Sequence, residues 1–160
     1  MMLENKLGIT TESELALSEE QISKKKALEL FDKRILDSLE AGKFSSLALI
    51  HKYLFGEIYD FAGEIRKVNI AKGNGRATRI WLDLMLKSNI KQVVDWSKVD
   101  ETDYLLAMER SPIKDTEIKY ILKQALTKDI DNRKVYMKGI DASYNYEGYY
   151  AYKTEDLIKL

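Results

Sequence analysis

The chain has 160 residues, 45% hydrophobic and 32% charged, a composition that predicts one globular domain (1–160) with room for a real core. Its 26 basic and 26 acidic residues balance, which argues against direct nucleic-acid binding, because such proteins usually carry a basic excess. With no cysteine and a single histidine, His51, the sequence excludes disulfides, thiolate metal sites and multi-histidine metal sites, and a cytoplasmic location is expected. Neither a signal-peptide pattern nor an apolar run long enough for a membrane span is present, so we expect no membrane partner.

The first half of the chain predicts two helices. The single proline favours a helical protein. Residues 18–40 carry an approximate apolar stripe and begin with Ser18 and Gln21, a plausible capping box; Gly42 is expected to end this helix. Residues 44–60 carry a second apolar stripe and predict a second helix.

A short extended segment follows. Gly63 and Gly73 bracket Ile65, Val68 and Ile70, which lack helical spacing. This pattern indicates a strand, one arm of a small hairpin, although its partner strand is not evident downstream.

The second half predicts further helices. One runs from Asn74 to about residue 87, and another covers 104–109 with Asp100 or Thr102 as its cap. An amphipathic helix follows Asp115, and a last helix covers 131–147, with Gly148 as a natural stop. The predicted fold class is therefore all-α with one small β element.

Two arginines occupy an unusual position at the start of the third helix. Arg76 and Arg79 lie in the first turn, where the helix dipole disfavours cations. They are three residues apart and so share one face, directly after a glycine-rich turn whose backbone N–H groups can approach an anion closely. The spacing by itself allows either a phosphate-binding site or two solvated surface arginines.

A resemblance favours the phosphate site. "GNGRATR", Gly73 to Arg79, resembles the second half of the Fic family signature, His-x-Phe-x-Asp/Glu-Gly-Asn-Gly-Arg-x-x-Arg. The preceding residues 50–73 are similar to the helix and flap strand of that family. "SYNYEG", Ser143 to Gly148, is similar to its inhibitory motif Ser/Thr-x-x-x-Glu-Gly/Asn, placed as in the class III proteins. These matches occur in the family's order and span residues 47–148.

The resemblance implies a Fic-type helical domain with a small β-hairpin flap and a protein adenylyltransferase activity. Such enzymes move AMP, or in a few cases another phosphate-linked group, from ATP to a hydroxyl of a target protein, with Mg²⁺ as cofactor. It implies that Arg76 holds phosphate and that Arg79 holds the terminal phosphate of ATP. The implied anion nest is Gly73, Asn74 and Gly75, and the implied flap residues are Ile70, Ala71 and Lys72.

The resemblance also implies a built-in brake on the helix at about 131–148. Glu147 would reach Arg79 and occupy the terminal-phosphate site as an anion mimic. Ser143, one turn earlier, would anchor this helix, and Gly148 completes the motif. Without the family pattern, Glu147 would be interpreted as a solvated acid at a helix end.

The first half of the signature is absent. No residue corresponds to its catalytic histidine, and Lys72 stands where its acidic metal ligand would be, so the sequence offers no catalytic base and no metal ligand. His51 lies in the helix before the flap and is expected to pack or cap, not to act as base. Either an internal segment of the protein is missing from this sequence, or the protein truly lacks it and is an inactive nucleotide- or protein-binding module. The intact flanks favour the first explanation.

The remaining expectations concern partners. A target protein is the implied substrate, and self-association is a further expectation. The crowded tail tyrosines allow self-modification, although packing is the simpler interpretation of the helical ones; they are Tyr144, Tyr146, Tyr149, Tyr150 and Tyr152. The run Lys24–Lys26 is interpreted as a solvated helix face, against a nucleic-acid-binding alternative.

Overall fold

In the computed structural model, which describes residues 2–64 and 74–159, the chain is mainly α-helical with a small antiparallel sheet. The predicted fold class is confirmed. Two short 3₁₀ helices cover Ile35–Ser38 and Trp96–Lys98. The helices are α1 Glu12–Asp32, α2 Phe44–Phe55, α3 Asn74–Ile90, α4 Glu101–Arg110, α5 Thr116–Gln124, α6 Arg133–Asn145 and α7 Thr154–Leu157, and the strands are β1 Val93–Val94 and β2 Leu126–Thr127.

The first helix begins earlier than predicted. Its N-cap is Thr11, whose hydroxyl oxygen accepts from the Glu14 N–H at 3.4 Å and donates to Glu14 Oε2 at 2.7 Å. The capping-box pattern therefore lies at Thr11 and Glu14, and the prediction at Ser18 and Gln21 is wrong. The helix also ends earlier, because Arg34 adopts a left-handed conformation (φ 54°) that breaks the helical path.

The sheet joins segments that lie far apart in the sequence. Val93 pairs with Thr127 and Val94 with Leu126, and α4 and α5 lie between the two strands in the sequence. This sheet is not the predicted arm at 63–73, because residues 65–73 lie outside the described part of the chain.

The other helix predictions agree closely with the structure, with shifts at the ends. α2 stops at Phe55 instead of residue 60, and α3 continues to Ile90. Asp100 caps α4 by accepting from the Asp103 N–H at 2.9 Å, as one of the two predicted alternatives. Asp115 precedes α5 but makes no side-chain capping bond.

The core consists of two clusters with α3 and α6 between them. One cluster joins α1, α2, α3 and α6 through side chains such as Leu30, Leu54 and Ile140. The other packs around Trp96 and includes Tyr146, which directly follows α6. Packing on both sides therefore brings the end of α6 against the first turn of α3.

Candidate anion-binding site

The two arginines of the first turn of α3 point into the protein. Arg76 is 1% exposed and Arg79 is 6% exposed. Both reach the carboxylate of Glu147, so they share one face of the helix, as their three-residue spacing predicts. They are therefore not the solvated surface arginines of the simpler interpretation.

Glu147 lies between the two guanidinium groups. Arg79 Nη2 donates to Glu147 Oε1 at 2.8 Å, and Arg76 Nε forms an ion pair with Oε2, also at 2.8 Å but without hydrogen-bond geometry. A Cβ atom at Gly75 would lie 2.5 Å from Glu147 Oε1, so only glycine lets the carboxylate come this close to the helix. The acid that a helix N-terminus favours is thus supplied by another helix.

A Schellman motif at the end of α6 positions Glu147. The Tyr149 N–H donates to Tyr144 O at 3.1 Å, and the Gly148 N–H donates to Asn145 O at 2.9 Å. Gly148 adopts φ +84°, the left-handed conformation that this motif requires, so its predicted role as a stop is confirmed. The side chain of Glu147 is 20% exposed, more than either arginine that it binds.

Ser143 anchors the same contact one turn earlier. Its hydroxyl accepts from Arg79 Nε at 2.6 Å, and its backbone carbonyl accepts from Arg79 Nη2 at 2.9 Å. Tyr104 of α4 accepts from Arg79 Nη1 at 3.3 Å. Arg79 is therefore held in place by groups other than Glu147.

A second carboxylate holds Arg76 from α1. Glu19 Oε1 accepts from Arg76 Nη2 at 2.6 Å and from the Tyr149 hydroxyl at 2.9 Å, and Oε2 accepts from Tyr59. Burial raises the pKa of Glu19, but the charge of Arg76 and these hydrogen bonds outweigh it and hold that pKa below its usual value. Sequence reasoning missed Glu19, because the pattern around it was interpreted as a helix start.

Arg76 is enclosed by aromatic rings as well as by acids. Its guanidinium carbon lies 4.6 Å from the ring centre of Tyr149, 4.7 Å from that of Phe55 and 5.0 Å from that of Tyr144. Burial lowers the pKa of Arg76, but the surrounding Tyr144, Glu147 and Glu19 outweigh it and raise it, so the side chain stays charged. A phosphate would have to take the place of Glu147 to reach this arginine.

Lysine and histidine side chains outside the site also have defined roles. Lys24 is 1% exposed and pairs with Glu20 at 3.0 Å and Asp141 at 3.4 Å, so the solvated-face interpretation is wrong for this residue. Lys24 also donates to the carbonyl of Tyr152, which fixes the tail on α1. His51 Nδ1 accepts from the Gly63 N–H at 3.0 Å, the packed and capping role that was predicted.

Of the remaining predicted site residues, one is described by the structure and the others are not. Asn74 is exposed at the start of α3, and its carbonyl accepts from the Thr78 hydroxyl at 2.7 Å. Within residues 2–64 and 74–159, no group of three or more His, Asp or Glu side chains is placed to hold a metal ion. The predictions for the nest residue Gly73 and the flap residues Ile70, Ala71 and Lys72 lie outside the described residues.

Comparison with models of known protein families finds no model that matches this chain. In the described part of the chain, no helix combines the length and the apolar character needed to cross a membrane. The functional interpretation therefore depends on the geometry around Arg76, Arg79 and Glu147.

Proposed function

We propose that the protein is a Fic-type adenylyltransferase that transfers AMP from ATP to a hydroxyl of a target protein and is held inactive by Glu147. The observation that carries the proposal is the Glu147 carboxylate bound between two buried arginines, each at 2.8 Å. Guanidinium groups bind carboxylates and phosphates through the same charge-assisted contacts. A built-in carboxylate at this position is therefore a stand-in for a phosphate.

The contacts of Arg79 support its role at the terminal phosphate. Ser143 and Tyr104 keep its guanidinium oriented when Glu147 leaves, so an anion arriving there meets a preorganised donor. Arg76 keeps its pairing with Glu19 and contributes mainly positive charge. Glu147 is the most exposed of the three charged groups, so we expect its side chain to be the group that moves when the site opens.

Transfer itself needs groups that the described residues do not supply. In the reaction, the target hydroxyl oxygen attacks the α-phosphorus, pyrophosphate leaves, and a base takes the hydroxyl proton. His51, on α2, accepts a hydrogen bond from the Gly63 N–H and is not that base. ATP is the proposed cofactor together with Mg²⁺, but the described residues do not fit a magnesium site, so we assign no step to the metal.

A second candidate function follows from the missing half of the signature. A chain without its histidine and acid would bind nucleotide weakly and transfer nothing, which makes it a nucleotide- or protein-binding module. An intact mass well above 18.5 kDa would show that the cellular protein carries the missing segment. A mass that matches this chain would favour the binding module.

Binding of ATP tests the anion site in either case. We expect Glu147→Gln to bind ATP at least about tenfold more tightly than the unmodified chain, because a competing anion is removed. Glu155→Gln, which removes an exposed acid of the tail, is the matched control and should bind like the unmodified chain. Equal binding by all three proteins would reject the phosphate interpretation.

Transfer from labelled ATP tests the enzymatic function in the protein that carries the full signature. Glu147→Gly should raise AMP transfer to protein, whereas equal transfer by variant and parent would reject the inhibitory role of Glu147. For self-modification, Tyr150 is the most exposed of the tail tyrosines at 62%, and its hydroxyl donates to Glu101 at the surface, whereas Tyr144 and Tyr146 are buried. Mass spectrometry after ATP treatment should then find AMP on Tyr150; an unmodified tail would exclude this acceptor.

A further inference from the structure

A separate cavity lies deeper along α3, beyond the anion-binding site. Its volume is about 140 Å³, and it is enclosed by the end of α1, the middle of α3, the strand β1 and α6. Its inner wall is formed by buried apolar side chains. They include Leu30, Ile80, Val94, Trp96 and Ile140.

One carboxylate, that of Asp83, stands in this apolar wall. Its Oδ1 accepts from the Val94 N–H at 2.8 Å, and its Oδ2 accepts from the Trp96 indole N–H at 2.8 Å. An ionised carboxylate can accept about four hydrogen bonds, so both oxygens can accept a further donor from the cavity. Asp83 is surrounded by protein yet remains partly accessible, because it faces this cavity.

The cations that line the cavity are engaged with other acids. Arg79 binds Glu147, Lys87 lies 2.5 Å from Asp131, and Arg34 lies 2.7 Å from Asp37. Within the described ranges, Asp83 has no ion-pair partner.

The outer end of the cavity is also acidic. Asp37, Asp129 and Asp131 are exposed there, against the two cations Arg34 and Lys87. Over the whole described lining, these three acids and Asp83 face Arg34, Arg79 and Lys87, four acids against three cations, so the net charge favours entry of a positive charge.

We propose that this cavity binds a small organic cation, an amine on a ring-sized apolar body, with its ammonium group on Asp83. The apolar wall matches the body, because a cavity of about 150 Å³ lined by aliphatic and aromatic side chains admits benzene. The ammonium supplies the opposite charge that the partly buried Asp83 carboxylate lacks, and it donates to the remaining acceptor positions of that carboxylate. The cation site does not depend on the proposed nucleotide function, although Arg79 and Ser143 line both the cavity and the anion-binding site.

Three probes of nearly equal size and different charge test this assignment: benzylamine, benzyl alcohol and benzoate. Binding to the chain is followed by NMR at about pH 8, with the Trp96 indole N–H as reporter, because this group touches Asp83. We expect a saturable shift with benzylamine, at least about tenfold weaker binding of benzyl alcohol, and no binding of benzoate. Equal affinity for benzylamine and benzyl alcohol, or no saturable shift with benzylamine, would overturn the proposal.

Two variants locate the site. Asp83→Asn keeps the shape of the side chain and should remove the preference for benzylamine over benzyl alcohol. Val135→Phe, which fills the cavity from α6, should abolish binding of both probes while circular dichroism remains that of the parent. Asp115→Asn, an exposed acid away from the cavity, is the matched control. Unchanged benzylamine binding in either cavity variant would contradict the proposed location.

Discussion

The first turn of α3 and the turn around Asp83 both place charged side chains wholly or partly inside the protein, but they balance this charge in opposite ways. At the first turn, two arginines meet two carboxylates, Glu19 from α1 and Glu147 from the turn that follows α6. Around Asp83, the carboxylate has two neutral hydrogen-bond donors and, in the described residues, no cation.

In the anion-binding site, the arginines are already bound by the Glu147 carboxylate, whereas Asp83 faces an open cavity. At the first turn, the anion that we propose would have to displace the Glu147 carboxylate, so its binding would be linked to movement of that side chain. At Asp83, the cation that we propose would displace no described side chain and would compensate a partly buried carboxylate that has only neutral hydrogen-bond donors. The variants below are ordered from the largest expected effect to the smallest.

Arg76→Ala is expected to have the largest effect on stability. It leaves Glu19 buried without its ion-pair partner, which costs about 3–5 kcal/mol in the free energy of unfolding. Urea unfolding measures this loss. Arg110→Ala removes an exposed pair with Glu117 and should cost at most about 1 kcal/mol; a similar loss in both variants would show that the buried network is not special.

Asp83→Asn tests the cost of the uncompensated Asp83 charge through the pH dependence of the free energy of unfolding. Burial raises the pKa of Asp83 to about 7, despite the opposing hydrogen bonds from Val94 and Trp96. Because the folded state holds this proton more tightly than the unfolded state, the parent loses stability as the pH rises from about 4 to about 7.

Asparagine at this position does not titrate. The stability of Asp83→Asn relative to the parent should therefore increase by about 2–3 kcal/mol between about pH 5 and about pH 8. Urea unfolding of both proteins at the two pH values measures this change. A stability difference between the two proteins that stays constant with pH would mean that the pKa of Asp83 is not raised.

The other charged groups that line the cavity are Arg34, Asp37, Arg79, Lys87, Asp129 and Asp131.

Glu147→Gln should have a smaller effect on stability than either change. Arg79 keeps its bonds to Ser143, and Arg76 keeps Glu19, so the loss is about 1–2 kcal/mol, the value of charge-assisted bonds at a partly exposed acid. Addition of ATP should restore stability in this variant more than in the parent. A thermal shift that is equal in both proteins would contradict the displacement of Glu147 by phosphate.

Thr11→Ala is the smallest perturbation and tests the corrected start of α1. Loss of the capping bond to Glu14 should cost about 1 kcal/mol. Asp115→Ala, at a helix start where no side-chain capping bond forms, should cost less than about 0.5 kcal/mol. Thermal unfolding of the two variants compares them directly, and equal losses would remove the distinction.

The sequence predicted the local elements where a strong local signal was present. The apolar periodicity was sufficient to predict α2, α3 and α6, and Gly148 was sufficient to predict a stop after α6. Both signals depend only on residues that are close together in the sequence. The start of α1 was wrong because two capping-box patterns lie seven residues apart in one helix, and propensity alone does not choose between them.

The pairing of Arg79 with Glu147 was predicted from a resemblance, whereas the second pair of Glu147, with Arg76, was not predicted. Glu19, the other partner of Arg76, was not predicted, because the two residues lie 57 positions apart in the sequence and no periodicity connects them. The same holds for Lys24, which a charge run suggested to be solvated and which is buried against Glu20 and Asp141.

The sequence by itself determined that this chain is helical, that two arginines share the first turn of α3, and that an acid follows the last long helix. These properties depend on backbone geometry and residue spacing over one or two turns. Only the tertiary structure decided that both arginines are buried against Glu147, with Glu19 as a second partner of Arg76, and that Asp83, in the described part of the chain, has no ion-pair partner in its cavity. Those outcomes depend on which helices pack together, because the energy of a buried charge is set by its neighbours from distant parts of the chain.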